Sequence, residues 1–587
     1  MNIFSDFAQR IARHIEALMA SGDLPDGLDL TRLTLEPPRD ASHGDLASNA
    51  AMVLAKPAGL KPRDLAQMLA DRLAADADVT QVEIAGPGFL NITLKPDSWT
   101  RIVSLIIKSG SGFGKVDQAD ASGEKVNLEY VSANPTGPMH VGHARGAVVG
   151  DVLARLLSAA GNHVTKEYYI NDAGGQVAVL AKSALLRMRE AMGEDIGAIP
   201  EGLYPGDYLV PVGEKLAQDT PDLLKLPESE QIVAAKQAAL PMMMEMIRND
   251  LAALGVEHEV FLSEQSLHDS GAVHNVLDVL RDKGLVYQGT LEPPKGVTPP
   301  EDWEPSEQTL FRSSQFGDDS DRALMKSDGS WTYFAPDIAC HYDKYQRGFS
   351  RLIDVWGADH AGYIKRMSSA VTAISDGAAK LEVKVCQMVK LQRDGQPVKM
   401  SKRSGEFITL REVVDEVGRD AVRFIMLTRK NDAPLDFDFS LVKQQSRDNP
   451  VFYVQYAHAR CCSVLRNSLE AGFRGDQISD ASLADVDLSL LTHDAETALI
   501  KQLASYPRLI LAAADALEPH RLAFFCQEVA ASFHSIWNLG KDNPELRFIL
   551  EDKPELSLAR LALLRATAIV IANCLELIGV EPQSEMR

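Results

Sequence analysis

The stretch EKVNLEYVSANPTGPMHVGHARGAVVGDVLARLLSAAGNHVTKEYYI, residues 124–170, decides the fold. Its opening, EKVNLEYV, reads as a strand with Val126, Leu128 and Tyr130 on one face. A loop stiffened by Pro135 and Pro138 follows. The spacing of Val141, Val148, Val152 and Leu156 then predicts a helix, and Gly161 is placed to end it. HVTKEYYI, 163–170, supplies the next strand. A strand–loop–helix–strand unit of this length predicts a parallel, Rossmann-type sheet.

In such a sheet, ligands lie beyond the C-terminal ends of the strands. His140 and His143 fall there, at a helix start where unpaired amides and the helix dipole favour anions. Their spacing puts both imidazoles on one side of the first turn. Gly142 between them leaves room for a ligand to approach closely, such as the flat face of a base. From these residues alone a metal, a phosphate group and simple packing all stay open. HVGH lacks the glutamate of HExxH, however, and no Cys or carboxylate cluster lies nearby in sequence to complete a metal site.

Further out, the 587 residues exceed one core, since domains stop growing near about 250–300 residues, so about three or four units are expected. With 45% apolar and 24% charged residues, the composition is that of a soluble globular protein. A formal charge of −22 argues against indiscriminate coating of nucleic acid, while local basic patches can still meet a nucleic-acid partner. Cys340, Cys386, Cys461, Cys462, Cys526 and Cys574 form no CxxC, so reduced, mostly buried thiols are expected. The opening MNIFSDFAQRIARHIEALM places Phe4, Phe7, Ile11, Ile15 and Leu18 at helical spacing among acids and bases, which predicts a folded helix in a cytoplasmic protein. No apolar run approaches the roughly 20 residues that cross a bilayer.

The first unit runs to about Phe113. VEIAGPGFLNITL (82–94) alternates around a Gly-Pro-Gly turn, and SGSGFGK (109–115) reads as a linker. Residues 176–290 read as mainly helical, with PMMMEMIR (241–248) as core packing, and 290–310 as a Pro- and Glu-rich loop. Strand-like segments at TYFAPDIA (332–339), RLIDVWGADH (351–360) and VKVCQMVKLQ (383–392) resume the sheet. Amphipathic helices fill the chain from Pro450.

A second motif, GQPVKMSKRSGEFITL (395–410), crowds Lys399, Lys402 and Arg403 ahead of Thr409, a candidate N-cap. Like charges so close repel unless an anion sits among them. A cationic loop opposite a phosphate-binding helix start suits phosphoryl-centre chemistry.

Together, PMHVGH resembles the HIGH motif and KMSKR the KMSKS motif of class I aminoacyl-tRNA synthetases, in matching order, spacing and context. The resemblance narrows to the bacterial arginyl-tRNA synthetase family. EYVSANPTGPMHVGHARGAVVGD (129–151), EYYINDAGGQ (167–176), YPGDY (204–208), TYFAPDIAC (332–340) and GADHAGYIKR (357–366) are similar to its catalytic blocks. HGDLASNAAMVLAK (43–56) and GPGFLNI (86–92) are similar to its N-terminal domain, and DAVRFIML (420–427) and DFDFSLVKQQSRDNPVFYVQYAHAR (436–460) to its C-terminal half. The likeness spans nearly the whole chain, although EPQSEMR departs from the family's usual proline-then-methionine ending.

That resemblance implies an α/β fold: a Rossmann-type catalytic domain (116–410) with a mainly helical insertion near 176–330, and an α/β N-terminal domain (1–115) for the tRNA D-loop. A connecting segment (411–449) and an all-α anticodon-binding bundle (450–587) follow. It implies ligation of L-arginine to tRNA(Arg) through an adenylate, with ATP and its Mg²⁺ as substrate complex, no protein-held metal, no membrane and a monomeric state. His140, His143, Lys399 and Lys402 would serve catalysis, and Gly142, Asp359, His360, Met400 and Ser401 would bind ATP. Glu129, Asn134, Tyr333 and Asp337 would bind arginine. Chemistry supports that set independently, because a guanidinium is best met by carboxylates and an amide oxygen. Which acid takes the guanidinium and which the amino group stays open. Tyr453, Tyr456 and Arg460 offer stacking and cationic groups for unstacked tRNA bases.

Overall fold

The computed structural model describes residues 2–38, 40–116, 123–291, 306–398 and 408–586. The chain divides into two compact units. One is Asp117–Asn449 with Leu517–His520; the other is Met1–Val116 with Pro450–Ala516 and Arg521–Arg587.

The first of these is built on β1 (Lys125–Tyr130), α1 (Val141–Ala159), β2 (His163–Ile170), β3 (Val260–Ser263), α2 (Phe334–Gln346), β4 (Arg351–Gly357) and β5 (Lys380–Cys386). The strands form one sheet in the order β5-β4-β1-β2-β3, every pair parallel. The order reverses between β1 and β4, and the crevice at the C-terminal ends of these two strands is where such sheets take ligands. β1 is buried from Val126 through Tyr130 rather than on one face only, because a parallel sheet is covered on both sides.

Two strand assignments change. TYFAPDIA is not a strand: its residues from Phe334 start α2. Aromatic composition pointed the wrong way, and Pro336 is no obstacle, because amides in a first helical turn have no intrahelical partner to lose. VKVCQMVKLQ splits, with β5 ending at Cys386 and Val389–Arg393 joining a separate sheet with Gln396–Pro397 and Leu435–Asp438.

The insertion is mostly helical, with Gly175–Ala191, Val210–Asp219 and Glu228–Ala253, and Met243 packs against Leu180, Ala184 and Met188. On α1, the buried Asp151 accepts from Arg423 Nη2 at 2.5 Å, and Arg423 is itself fully buried. Removing one partner of a buried pair strands the other charge. Asp151→Ala is therefore expected to cost about 3–5 kcal/mol, read as a lower urea midpoint at unchanged slope.

In the other unit, helix Ile3–Ala20 buries Phe4, Phe7, Ile11, Ile15 and Leu18, the stripe read from the sequence, together with Ile3. An antiparallel sheet runs Leu35–Glu36, Leu46–Ser48, Phe89–Leu94, Val79–Ala85 in spatial order. The C-terminal segment contributes α3 (Pro450–Glu470), α4 (His520–Asp542) and α5 (Pro554–Ile578). Both ends of the chain build this one body: Ser104 Oγ donates to the Ala484 carbonyl at 2.6 Å, and Asn573 Nδ2 to that of Gly110 at 2.9 Å. Lys501 pairs with Asp45 at 2.5 Å. α5 corrects the expectation about apolar runs. It is long and apolar enough to cross a membrane, but 83% of its most apolar window is buried in this core.

Candidate active site

Between β1 and α1 the chain turns through Val131 (φ 72°) and Ser132 (φ 38°), left-handed conformations that a β-branched valine rarely adopts. Strain of this kind persists only where surroundings over-determine it, and it clusters at functional sites. Here Ser132 Oγ donates to Glu129 Oε1 at 2.9 Å and accepts from the Tyr169 amide at 3.0 Å, while Tyr168 Oη donates to the Ala133 carbonyl at 2.7 Å. The insertion holds the rest of the loop. Tyr208, from YPGDY, donates to the Thr136 carbonyl at 2.8 Å, and Asp250 accepts from the Met139 amide at 3.1 Å.

His140 caps α1. Its Nδ1 accepts from the Gly142 amide at 3.1 Å, and His143 Nδ1 accepts from the His140 amide at 3.3 Å. An Nδ1 that accepts leaves the proton of a neutral imidazole on Nε2. The rings stack with centroids 3.9 Å apart and planes 19° apart. A Cβ at position 142 would sit 2.8 Å from His140 Cε1; the glycine makes room for the ring as well as for a ligand.

Lys399, Met400, Ser401, Lys402 and Arg403 lie outside the described residues. Their flank does not. Thr409 forms an antiparallel bridge with His140, the Leu410 amide donates to the Met139 carbonyl at 2.8 Å, and Thr409 caps helix Leu410–Val417 in a reciprocal box with Glu412. The chain leaving the basic segment thus returns to the histidine pair.

The acids are arranged by register. Glu129 on β1 stands opposite Asp354 on β4 and Glu167 on β2, which sets three buried carboxylates in a row across adjacent strands. Such a row repels itself unless cations interleave. α2 supplies them. His341 Nε2 lies 3.0 Å from Asp354 Oδ2, and Arg347 Nη2 donates to Glu167 Oε2 at 2.7 Å. Lys344 Nζ donates to Glu129 Oε2 at 2.5 Å and stands 3.6 Å from Asp354 Oδ1. His341 Nδ1 also lies 2.8 Å from the Asp337 carbonyl, so both ring nitrogens face acceptors, as an imidazolium requires.

Asp337, one turn earlier on α2, accepts from Tyr363 Oη at 2.7 Å. Burial pushes its carboxyl up to about 6, with Glu129 and Asp354 adding to the rise while Tyr363 and His341 oppose it. Glu129 on β1 and Asp337 on α2 therefore influence one another electrostatically. Asn134 is exposed, with Nδ2 bonded to Gln176 Oε1 at 2.9 Å, and Tyr333, just before α2, is 65% exposed. Asp359 and His360 follow β4 in the turn Ala358–Tyr363, both exposed, 3.4 Å apart.

Tyr453, Tyr456 and Arg460 share α3 in the other unit. Arg460 Nη2 donates to Tyr456 Oη at 2.7 Å, and its guanidinium lies 4.2 Å from the Tyr456 ring centre and 4.8 Å from that of Trp537. Tyr453 packs on His534 with centroids 4.6 Å apart.

Sequence reasoning missed His341, Lys344, Arg347, Asp354 and Glu167. Their signal was present: acids inside three apolar strands, and bases at 341, 344 and 347 on one helix face.

A histidine pair capping the first helix after β1, at the reversal point of a parallel sheet whose carboxylates are matched by α2, fits a class I aminoacyl-tRNA synthetase. Residues 111–436 match the profile of the tRNA synthetases class I (R) catalytic domain, 5–94 that of the arginyl-tRNA synthetase N-terminal domain, and 454–586 that of the DALR anticodon-binding domain. The arginine–tRNA ligases of Parvibaculum lavamentivorans and Ruegeria pomeroyi are 60% and 57% identical over the full length of both chains. The Thermus thermophilus arginyl-tRNA synthetase structure shares the fold, at 20% identity and a TM-score of 0.73, covering 99% of this chain and 100% of that one. The chain belongs to the arginyl-tRNA synthetase family.

Proposed function

We propose that the chain, an arginine–tRNA ligase whose substrates are ATP, L-arginine and tRNA, works in two steps at the crevice between β1 and β4. The arginine carboxylate attacks the α-phosphate of ATP, giving arginyl-adenylate and pyrophosphate; the 2′-hydroxyl of the terminal tRNA ribose then attacks the adenylate. The observation that carries this reading is the His140–His143 pair, whose Nδ1 atoms are engaged by amides so that Nε2–H donors serve phosphate and ribose oxygens. Lys399 and Lys402 clamp the β- and γ-phosphates, with Met400 and Ser401 beside them, and Mg²⁺ travels with ATP. Gly142, Asp359 and His360 serve the nucleotide. Glu129, Asn134, Tyr333 and Asp337 receive arginine. Catalysis by positioning and preorganised charge needs no covalent enzyme intermediate. A pocket that hydrogen-bonds a distinctive polar side chain rejects analogues by roughly 10⁴–10⁵, which makes an editing site unnecessary.

The N-terminal segment meets the tRNA elbow and the α3–α4 region the anticodon, through Tyr453, Tyr456 and Arg460. The enzyme acts as a cytoplasmic monomer. Pyrophosphate exchange with ATP and Mg²⁺, run for each amino acid with and without tRNA, tests the whole. Exchange with arginine alone, in the presence of tRNA, is expected; exchange with another amino acid, or with none, refutes it.

The Asp337 carboxyl gives a pH signature. It must lose its proton to receive a cation, so with a free-site value of about 6 the site is fully competent above that pH. Below it, kcat/KM for arginine is expected to fall about tenfold per pH unit. A flat profile through this range, in exchange assays at saturating ATP, counts against the assignment.

A further inference from the structure

We propose that Lys344 is a positioning residue for arginine, balancing Glu129 so that Asp337 is the pocket carboxylate left without an ion-pair partner among the described residues. This rests on the arginine pocket described above. The register of β4, β1 and β2 sets Asp354, Glu129 and Glu167 side by side, and α2 opposes them with His341, Lys344 and Arg347, the last shared with Asp343. Lys344 is central to this lattice. Fully buried, it reaches both Glu129 and Asp354, and Glu129 keeps its second oxygen on Ser132 in the strained turn. Asp337 lies on the same helix and enters no ion pair among the described residues; its carboxylate has the Tyr363 hydroxyl. A monocationic side chain completes the balance. Burial works against a charge on Lys344, but Asp354 and Glu129 outweigh it and hold the amine well above its ordinary value. Buried Asp354 is likewise held low by Lys344 and His341.

The groups that face Asp337 come from every neighbouring element. They are His341 on α2, Glu129 on β1, Asp354 on β4, Tyr363 after β4, Tyr169 on β2 and Glu264 on the short helix Glu264–Asp269. Burial, with Asp337 and Asp172 nearby, pushes the Glu264 carboxyl up to about 7.

The test is a charge cycle read as the acidic limb of kcat/KM for arginine in tRNA-supported pyrophosphate exchange. Lys344→Met should move the limb to higher pH by about one unit and raise the arginine KM about tenfold or more, with the ATP KM unchanged within about twofold. Glu129→Gln leaves the Lys344 cation unbalanced and should move the limb to lower pH. Glu129→Gln/Lys344→Met removes both charges and should return the limb close to wild type, although the arginine KM stays raised. The double variant also keeps the test intact if Lys344→Met alone fails to fold, as a melt will show, because it removes the stranded Glu129 charge and leaves Asp354 its His341 partner. Lys344→Arg should restore the limb. An unmoved limb in Lys344→Met, a double variant as displaced as a single one, or parallel rises in both KM values overturn the proposal. If Asp337→Asn leaves the arginine KM unchanged, it is the underlying pocket reading that falls.

Discussion

Asp337→Asn is expected to lower kcat/KM for arginine by about 10²–10³, nearly all of it in the arginine KM, with the ATP KM unchanged. Hydrogen bonds to a charged group contribute about 1.5–3 kcal/mol each, and a guanidinium fork makes them in pairs. In this site the lost charge has no substitute, because Glu129 is already bonded to Lys344 at 2.5 Å. Folding should be untouched. Asparagine has the same shape, keeps an acceptor for Tyr363 Oη, and leaves the backbone carbonyl that faces His341 in place. No buried cation is orphaned, so melting should match wild type. An arginine KM within about twofold of wild type would place the substrate elsewhere.

The second large effect is expected at the histidine pair. His143→Ala should reduce the rate of adenylate formation by about 10²–10³, the usual cost of losing one preorganised donor to developing charge. Ground-state binding of arginine and tRNA should change little, since neither depends on this donor. His143 also accepts from the His140 amide and stacks on the His140 ring, so its loss loosens the second donor as well. His140→Ala removes the N-cap side chain of α1 at a stability cost of about 1 kcal/mol, while His143→Ala removes the reciprocal bond of the same capping box. Single-turnover adenylation with radiolabelled ATP separates the two, and a rate within about threefold of wild type for His143→Ala would reduce the pair to packing.

Local rules carried the sequence reading a long way. β1, α1 and β2 were legible because strand, Pro-Gly loop and helix follow one another within 47 residues, and the stripe of helix Ile3–Ala20 is a plain 3.6-residue repeat. Thr409 as an N-cap rested on local chemistry alone. What escaped was set by distant partners. Nothing near Glu129 in sequence announces that Asp354 will lie opposite it, or that Lys344 will reach it from 215 residues away. TYFAPDIA misled for the same reason: its aromatic residues favour a strand in isolation, and the helix it forms is stabilised by the sheet it covers. The KMSKR segment lies outside the described residues; on its flank, Thr409 bridges to His140.

The body made from both chain ends sets a timetable for synthesis. The Gly110 carbonyl and the Asn573 amide that bonds it are 463 residues apart, so at about 5–20 residues per second the first waits roughly 25–90 s on the ribosome for the second. Helix Pro96–Ser109 packs against α5, which is translated more than 400 residues later. For that interval it lacks this partner, while all of Asp117–Asn449 emerges. Most of the catalytic unit is therefore synthesised before the body that holds the N-terminal segment has all its parts, and only Leu517–His520 of that unit comes later.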